Sequence, residues 1–169
     1  MQIATLAGLL RQQSGVGDSL PIDVDAIVEW CQITFAEVPV NGFLGLFIPD
    51  PVPGILIKSG QPPGQRRFTI GHELGHFSIP THTRQAGHWC LESDLGVPSD
   101  VVSTTIEREA NKFAVELLMP RHIFKRDIDR LDLSFQTVVE LACPNRYNVS
   151  RTACAMRLVE LSREPCALV

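Results

Sequence analysis

The apolar positions in the first third of the chain predict two short helices followed by a small sheet. Apolar residues recur every three or four positions in residues 3–13 and 21–32, as they do on the buried face of a helix. Three short apolar runs bounded by turn-forming residues follow, at 33–40, 43–48 and 54–59. Asn41-Gly42, between the first two runs, is typical of a tight hairpin. We therefore expect a small antiparallel sheet of three strands.

The next apolar pattern predicts a helix that stops before Pro80. Its apolar stripe consists of Ile70, Leu74 and Phe77, which fall within about 60° of one another on a helical wheel. Gly71 and Gly75 weaken this helix by about 1 kcal/mol each relative to alanine. Their small size would, however, let another element approach the helix closely.

A second amphipathic helix is predicted for residues 105–120. Its expected buried face consists of Ala110, Phe113, Ala114, Leu117 and Leu118. Its expected solvent face consists of Glu109, Lys112 and Glu116. Glu107 and Asn111 lie four positions apart at the edge of the buried face, so their side chains should point in the same direction.

Three further helices are predicted in the last third of the chain, over residues 121–130, 135–143 and 150–161. We expect an α+β protein with one domain at 1–120 and a helical subdomain packed on it at 121–169. The last two predicted helices and the break between them resemble a helix-turn-helix, although the loop is longer than usual. The final helix offers only Arg151 and Arg157 as basic residues, which argues against direct binding to nucleic acid.

The composition is that of an ordinary globular protein. The 169 residues are 44% hydrophobic and 20% charged, which is enough apolar material for a core. The net charge of −4 argues against strong non-specific binding to nucleic acid. The five cysteines include no Cys-x-x-Cys pair, and the sequence shows neither a signal peptide nor a long apolar segment. We therefore expect a cytoplasmic protein with reduced thiols and no membrane association.

The chemistry of the first motif helix is carried by a His-Glu-x-x-His pattern. His72 and His76 lie four positions apart on one helix face, where two imidazoles can hold one metal ion. Glu73 is placed to accept a proton from a water molecule that the metal activates. A catalytic zinc site usually has three protein ligands, and Glu107 is the candidate for the third. Asn111 is the candidate for a hydrogen bond that orients a ligand histidine.

An alternative interpretation remains for each of these residues. A pattern with three fixed letters also arises by chance, and a glutamate in the first turn of a helix is favoured by the helix dipole without any metal.

Taken together, the two motif helices resemble the ImmA/IrrE family of metallopeptidases. The resemblance is carried by residues 67–77 (RFTIGHELGHF) and 107–120 (ExxANxFAxxLLMP), and it extends over residues 21–161. It implies a zincin-like metallopeptidase domain with Glu73 as the catalytic glutamate. The zinc ligands that it implies are His72, His76 and Glu107. It also implies a substrate class, helix-turn-helix repressors, whose cleavage would switch on stress-response or mobile-element genes.

We therefore expect a zinc-dependent endopeptidase of narrow specificity, with manganese as the alternative metal. The competing hypothesis is a non-catalytic protein-interaction or DNA-binding regulatory module with a metal site. Glu73 argues against that hypothesis, because a purely structural site needs ligands but no general base.

Two secondary expectations concern the substrate. An extended substrate would pair with a sheet edge beside the metal, and residues 55–58 are the candidate edge strand. His82 and His88 are candidate donors to the oxyanion of the transition state. The alternative for both histidines is a polar position in a loop.

Overall fold

The computed structural model describes residues 2–82, 88–90 and 105–163, which form seven helices and four strands. The elements before the first motif helix are α1 (Ile3–Gln13), α2 (Val24–Trp30), β1 (Thr34–Val38), β2 (Gly45–Ile48) and β3 (Gly54–Lys58). The two motif helices and the strand between them are α3 (Pro63–Ser78), β4 (His88–Cys90) and α4 (Thr105–Leu118). The last three helices are α5 (Arg121–Ile128), α6 (Phe135–Ala142) and α7 (Arg151–Leu161). The predicted α+β class is confirmed.

Local signals explain where several of these helices begin. Asp23, Ser134 and Ser150 precede α2, α6 and α7, and each side chain accepts a hydrogen bond from the backbone N–H three residues later. Helix α3 begins at Pro63, since proline at the first helical position loses no hydrogen bond. No helix in the described part of the chain is long and apolar enough to cross a membrane.

The sheet is mixed rather than wholly antiparallel, and its described part has four strands rather than the expected three. Its strand order is β1-β3-β2-β4, with β1 parallel to β3 and with β2 antiparallel to both β3 and β4. The predicted hairpin at Asn41-Gly42 is therefore wrong, because β3 lies between β1 and β2. The choice of residues 55–58 as an edge strand is also wrong. Ile55 and Ile57 are fully buried, and so apolar a strand takes the centre of the sheet, leaving β1 and β4 at the edges of its described strands.

Helices α3 and α4 pack closely against each other because glycine faces alanine where they meet. A Cβ added at Gly75 would lie 3.1 Å from the Cα of Ala110, and one added at Gly71 would lie 3.4 Å from the Cβ of Ala114. The expectation that these glycines admit a neighbouring element is thus confirmed. The predicted apolar face of α4 is fully buried.

The solvent face predicted for α4 is wrong at one position, Glu116. This side chain is buried, and its Oε2 lies 2.8 Å from Nη2 of Arg157 on α7. Arg157 also donates to the backbone oxygen of Met119, so α7 is joined to the end of α4. Because Arg157 is buried, Arg151 is the exposed member of the two basic residues on α7. The domain division at residue 120 stays a prediction.

Candidate metal centre

The candidate centre lies between α3 and the first turn of α4. His72, Glu73 and His76 are buried on α3, and Glu107 reaches them from α4. Nε2 of His72 lies 3.0 Å from Nε2 of His76 and 3.1 Å from Oε2 of Glu107. Nε2 of His76 lies 3.5 Å from Oε1 of Glu107. The structure therefore brings together the four side chains that the two helical patterns selected.

The geometry of these donors matches that of a tetrahedral metal site. Zinc binds histidine and carboxylate at about 2.0–2.1 Å, so two ligand atoms of a tetrahedral site lie about 3.3 Å apart. The observed separations of 3.0, 3.1 and 3.5 Å fall on both sides of that value. Among the described residues, His72, His76 and Glu107 form a group whose donor atoms all lie within 4.8 Å of one another. These residues fit a divalent ion with one coordination position left open.

Asn111 orients the first of the two imidazoles. Its Oδ1 lies 2.9 Å from Nδ1 of His72. Because an amide oxygen can only accept, Nδ1 carries the proton and Nε2 presents its lone pair toward Glu107 and His76. An outer hydrogen bond of this kind is the usual partner of a metal-binding histidine. The structure therefore places Asn111 where the sequence analysis expected it.

The electrostatics of the centre favour the protonation states that metal binding needs. Burial lowers the pKa of His76, which keeps its imidazole neutral. Burial raises the pKa of Glu107, but the adjacent imidazoles of His72 and His76 outweigh it and hold that pKa well below its usual range. A neutral His76 beside an ionised Glu107 has the combination of charges that a cation-binding site needs.

Glu73 lies in a different environment from the three candidate ligands. Both of its carboxylate oxygens are buried, and neither has a hydrogen-bond partner among the described residues. Burial, together with the negative charge of Glu107, raises the pKa of Glu73 to about 8, against lowering by His72 and the backbone of Phe47. The Phe47 backbone faces the carboxylate without the geometry of a full hydrogen bond. A carboxylate in such a place holds a proton more readily than one in water.

His82 lies beside the centre, buried instead of exposed in a loop. Its ring centroid is 5.1 Å from that of His76, and its Nε2 lies 3.0 Å from Oε2 of Glu109. Glu109 lies two positions after Glu107 and points to another side of α4. It pairs with His82 and does not take part in the ligand group. A role for His82 at the oxyanion stays a prediction. The side chain of His88 lies outside the described residues.

Sequence reasoning missed the strand residue that lies against Glu73. Gly45 on β2 faces α3, and a Cβ at this position would overlap Oε1 of Glu73. Gln61 joins the same strand to the helix, because it bonds the backbone oxygen of Leu44 and the hydroxyl of Thr69. Periodicity could not reveal these contacts, since they connect segments that the sequence pattern treats separately.

Comparison with known proteins gives two matches. The sequence profile of the IrrE N-terminal-like domain family of peptidases matches residues 31–159, a range that contains all four side chains of the centre. The radiation response metalloprotease IrrE of Deinococcus radiodurans is 29% identical over 113 residues, which are 66% of this chain and 32% of that protein. The chain thus spans about a third of the length of this relative.

Proposed function

Because the chain belongs to the family of IrrE N-terminal-like domains, a family of peptidases, we propose that it is a zinc-dependent endopeptidase. His72, His76 and Glu107 are the proposed ligands, and Glu73 is the proposed general base. The observation that carries the proposal is the position of Glu73. A buried carboxylate with no hydrogen-bond partner among the described residues lies directly beside three converging metal-binding side chains. Manganese is the alternative ion for this mixed donor set.

The proposed reaction divides between the metal and Glu73. A bound divalent ion would acidify a water molecule and polarise the carbonyl of the peptide bond. Glu73 accepts a proton from the attacking water at one carboxylate oxygen and passes it to the nitrogen of the leaving amine.

The proposed substrate is a helix-turn-helix repressor in the cytoplasm. The resemblance to the ImmA/IrrE family supports this class, and the similar protein from Deinococcus radiodurans is named for a radiation response. A peptidase that acts among the proteins of the cytoplasm must be restrained, which supports narrow specificity. Extensive digestion of casein by the purified protein at low concentration would contradict this part of the proposal.

Metal content tests the ligand assignment. We expect one equivalent of zinc in the reconstituted wild-type protein and none in Glu107→Ala. The matched control is Glu109→Gln, two positions along the same helix, which keeps an oxygen that can accept a hydrogen bond from His82 and should keep the zinc. Equal zinc retention in both variants would mean that Glu107 is not a ligand.

Cleavage of a defined library tests the activity. The zinc-loaded protein is incubated with a peptide library and with purified helix-turn-helix repressors, and new N-termini are identified by mass spectrometry. We expect cleavage that requires zinc and disappears in Glu73→Gln, while that variant still binds one zinc. Zinc binding without any Glu73-dependent cleavage would favour the non-catalytic module.

A further inference from the structure

Strand β2 and helix α3 meet at Gly45 with no room for a side chain. A Cβ at Gly45 would overlap Oε1 of Glu73 and lie 2.6 Å from Cγ2 of Thr69 and 3.1 Å from Cδ of Glu73. None of the three nearest atoms belongs to His72, His76 or Glu107. The carboxylate of Glu73 therefore occupies the volume that any other residue at position 45 would fill.

Hydrogen bonds do not hold the Glu73 carboxylate in this position. It is completely buried and has no partner among the described residues, so the shape of its surroundings must fix it. The backbone of Gly45 forms part of that surface, because glycine is the residue that lets a neighbouring group approach the main chain most closely. The location of the proposed base thus depends on a residue in the sheet.

Gln61 keeps the strand from moving away from the helix. Its side-chain amide donates to the backbone oxygens of Leu44 and Lys58 at 3.1 and 3.0 Å. Its oxygen accepts from the hydroxyl of Thr69 at 2.8 Å. Leu44 immediately precedes Gly45, and Thr69 lies one helical turn before Glu73. A methyl group added at position 45 would therefore be accommodated by movement of the side chains of Glu73 and Thr69 rather than of the strand.

From this geometry we infer that Gly45 is a positioning residue, whose missing side chain holds open the place that the Glu73 carboxylate needs for catalysis. The inference rests on the proposed role of Glu73 as the general base. Replacing Gly45 by alanine should displace the carboxylate and leave the metal ligands in place. In most positions the end of a flexible side chain moves aside at little cost, but here the group that moves is the reactive one.

The first test compares Gly45→Ala with Gly54→Ala. Gly54 is the matched control, because it lies in the neighbouring strand and its added Cβ would make an ordinary contact at 3.6 Å with the backbone oxygen of Thr34. The assay uses one peptide identified in the library digest. We expect kcat of Gly45→Ala to fall by about 100-fold or more, with KM and zinc affinity unchanged, because displacement of a catalytic group by about 1 Å costs that much. Gly54→Ala should keep the wild-type kcat.

Three results would overturn the inference. A kcat of Gly45→Ala near that of the wild type would show that the methyl group does not disturb Glu73. An equal loss in Gly54→Ala would indicate a general effect of alanine in this sheet. Loss of zinc from Gly45→Ala would mean that the substitution moves the whole helix rather than one side chain.

A second test does not require activity. The melting temperature of the metal-free protein is measured for Gly45→Ala alone and in a Glu73→Ala background. We expect Gly45→Ala to lower the melting temperature of the wild type and to lower it much less when Glu73 is truncated, because the overlap with Oε1 is gone and only the contact with Thr69 remains. Equal losses in the two backgrounds would contradict the inference. If the wild type cleaves no peptide, the proposed function fails, and this measurement still decides whether Gly45 positions Glu73.

Discussion

Glu73 and Glu116 are two buried glutamates that the fold treats in opposite ways. Glu116 on α4 accepts from Arg157 at 2.8 Å, and Arg157 also donates to the backbone oxygen of Met119 and to Glu160. Glu73 on α3 is at least as deeply buried, yet its carboxylate has no hydrogen-bond partner among the described residues. The charge of Glu116 is compensated by Arg157. The position of the Glu73 carboxylate depends instead on the shape of its surroundings and on nearby charges.

The difference separates a structural site from a functional one. A buried ion pair specifies how two elements meet, and here it joins α4 to α7. A buried carboxylate without a partner destabilises the folded protein, so its presence calls for an explanation outside stability. At Glu73 the same lack of compensation raises the pKa of the carboxylate in the metal-free protein to about 8, a shift that a carboxylate paired with a cation would not show.

Replacing Glu73 by glutamine should have the largest effect on activity and almost none on the fold. We expect peptide cleavage to fall by about 100- to 10,000-fold, the range that a lost general base costs. Glutamine has the same shape and no charge, so the melting temperature of the metal-free protein should be unchanged or higher. Rates are measured on the library peptide, with zinc content as the control. A clear loss of stability would mean that Glu73 has a structural partner and that the comparison with Glu116 fails.

Replacing Arg157 by methionine should have the opposite result. The substitution leaves Glu116 buried without its cation, and we expect the free energy of unfolding in urea to fall by about 3–5 kcal/mol. The double variant Arg157→Met with Glu116→Gln should recover part of that loss, because no buried charge is then uncompensated. If the double variant is as unstable as the single one, the bonds from Arg157 to Met119 rather than the ion pair hold α7 in place.

The extent to which the sequence predicts these two sites depends on how far apart their partners lie in the chain. The His-Glu-x-x-His motif and the helix faces predict His72, His76, Glu107 and Asn111, because motif and face both follow from local spacing. The same reasoning assigned Glu116 to solvent, since its partner Arg157 lies 41 residues further along the chain. The spacing of apolar residues in a helix does not reveal a partner that lies far away in the chain.

The sheet shows the same limit. Apolar runs predict three of the four described strands but not β4, and they do not predict the strand order, since Asn41-Gly42 indicates a pairing that β3 interrupts. The sequence does not predict the role of Gly45 for a related reason. A glycine in an apolar run gives no indication of which side chain packs against it. Local patterns thus predicted the elements and the ligand faces, whereas contacts between distant segments required the structure.

Replacing Asn111 tests whether a hydrogen bond from outside the ligand group holds His72 in place. Glu73 has no such bond among the described residues. We expect Asn111→Ala to weaken zinc binding by about 10- to 100-fold, because His72 loses the hydrogen bond that fixes its tautomer and orientation. Lys112→Ala, at the next and exposed position of the same helix, is the control and should bind zinc as the wild type does. Zinc affinity is measured by competition with a chelator of known affinity. Equal affinities for the two variants would remove Asn111 from the site.

The pH dependence of stability offers the most direct test of the environment of Glu73. In the metal-free protein the pKa of Glu73 is raised from 4.5 to about 8, so between those values the folded state binds more protons than the unfolded state. The stability contributed by protonated Glu73 is complete below about pH 4.5 and is lost as the pH rises through about 8. The free energy of unfolding, measured with urea between pH 5 and 8, should therefore fall by up to about 1.4 kcal/mol per pH unit in the wild type relative to Glu73→Gln.

The comparison with Glu73→Gln is needed because the titration of His76 changes the stability of the protein with pH in the opposite direction. Burial lowers the pKa of His76, so its contribution to stability is lost as the pH falls below about 6.5, and this contribution is common to both proteins. The difference between the two curves therefore reports Glu73 together with its electrostatic coupling to His72 and Glu107. Parallel curves for wild type and Glu73→Gln would mean that the charge of the Glu73 carboxylate is compensated by a partner. Its burial would then be no sign of a catalytic role.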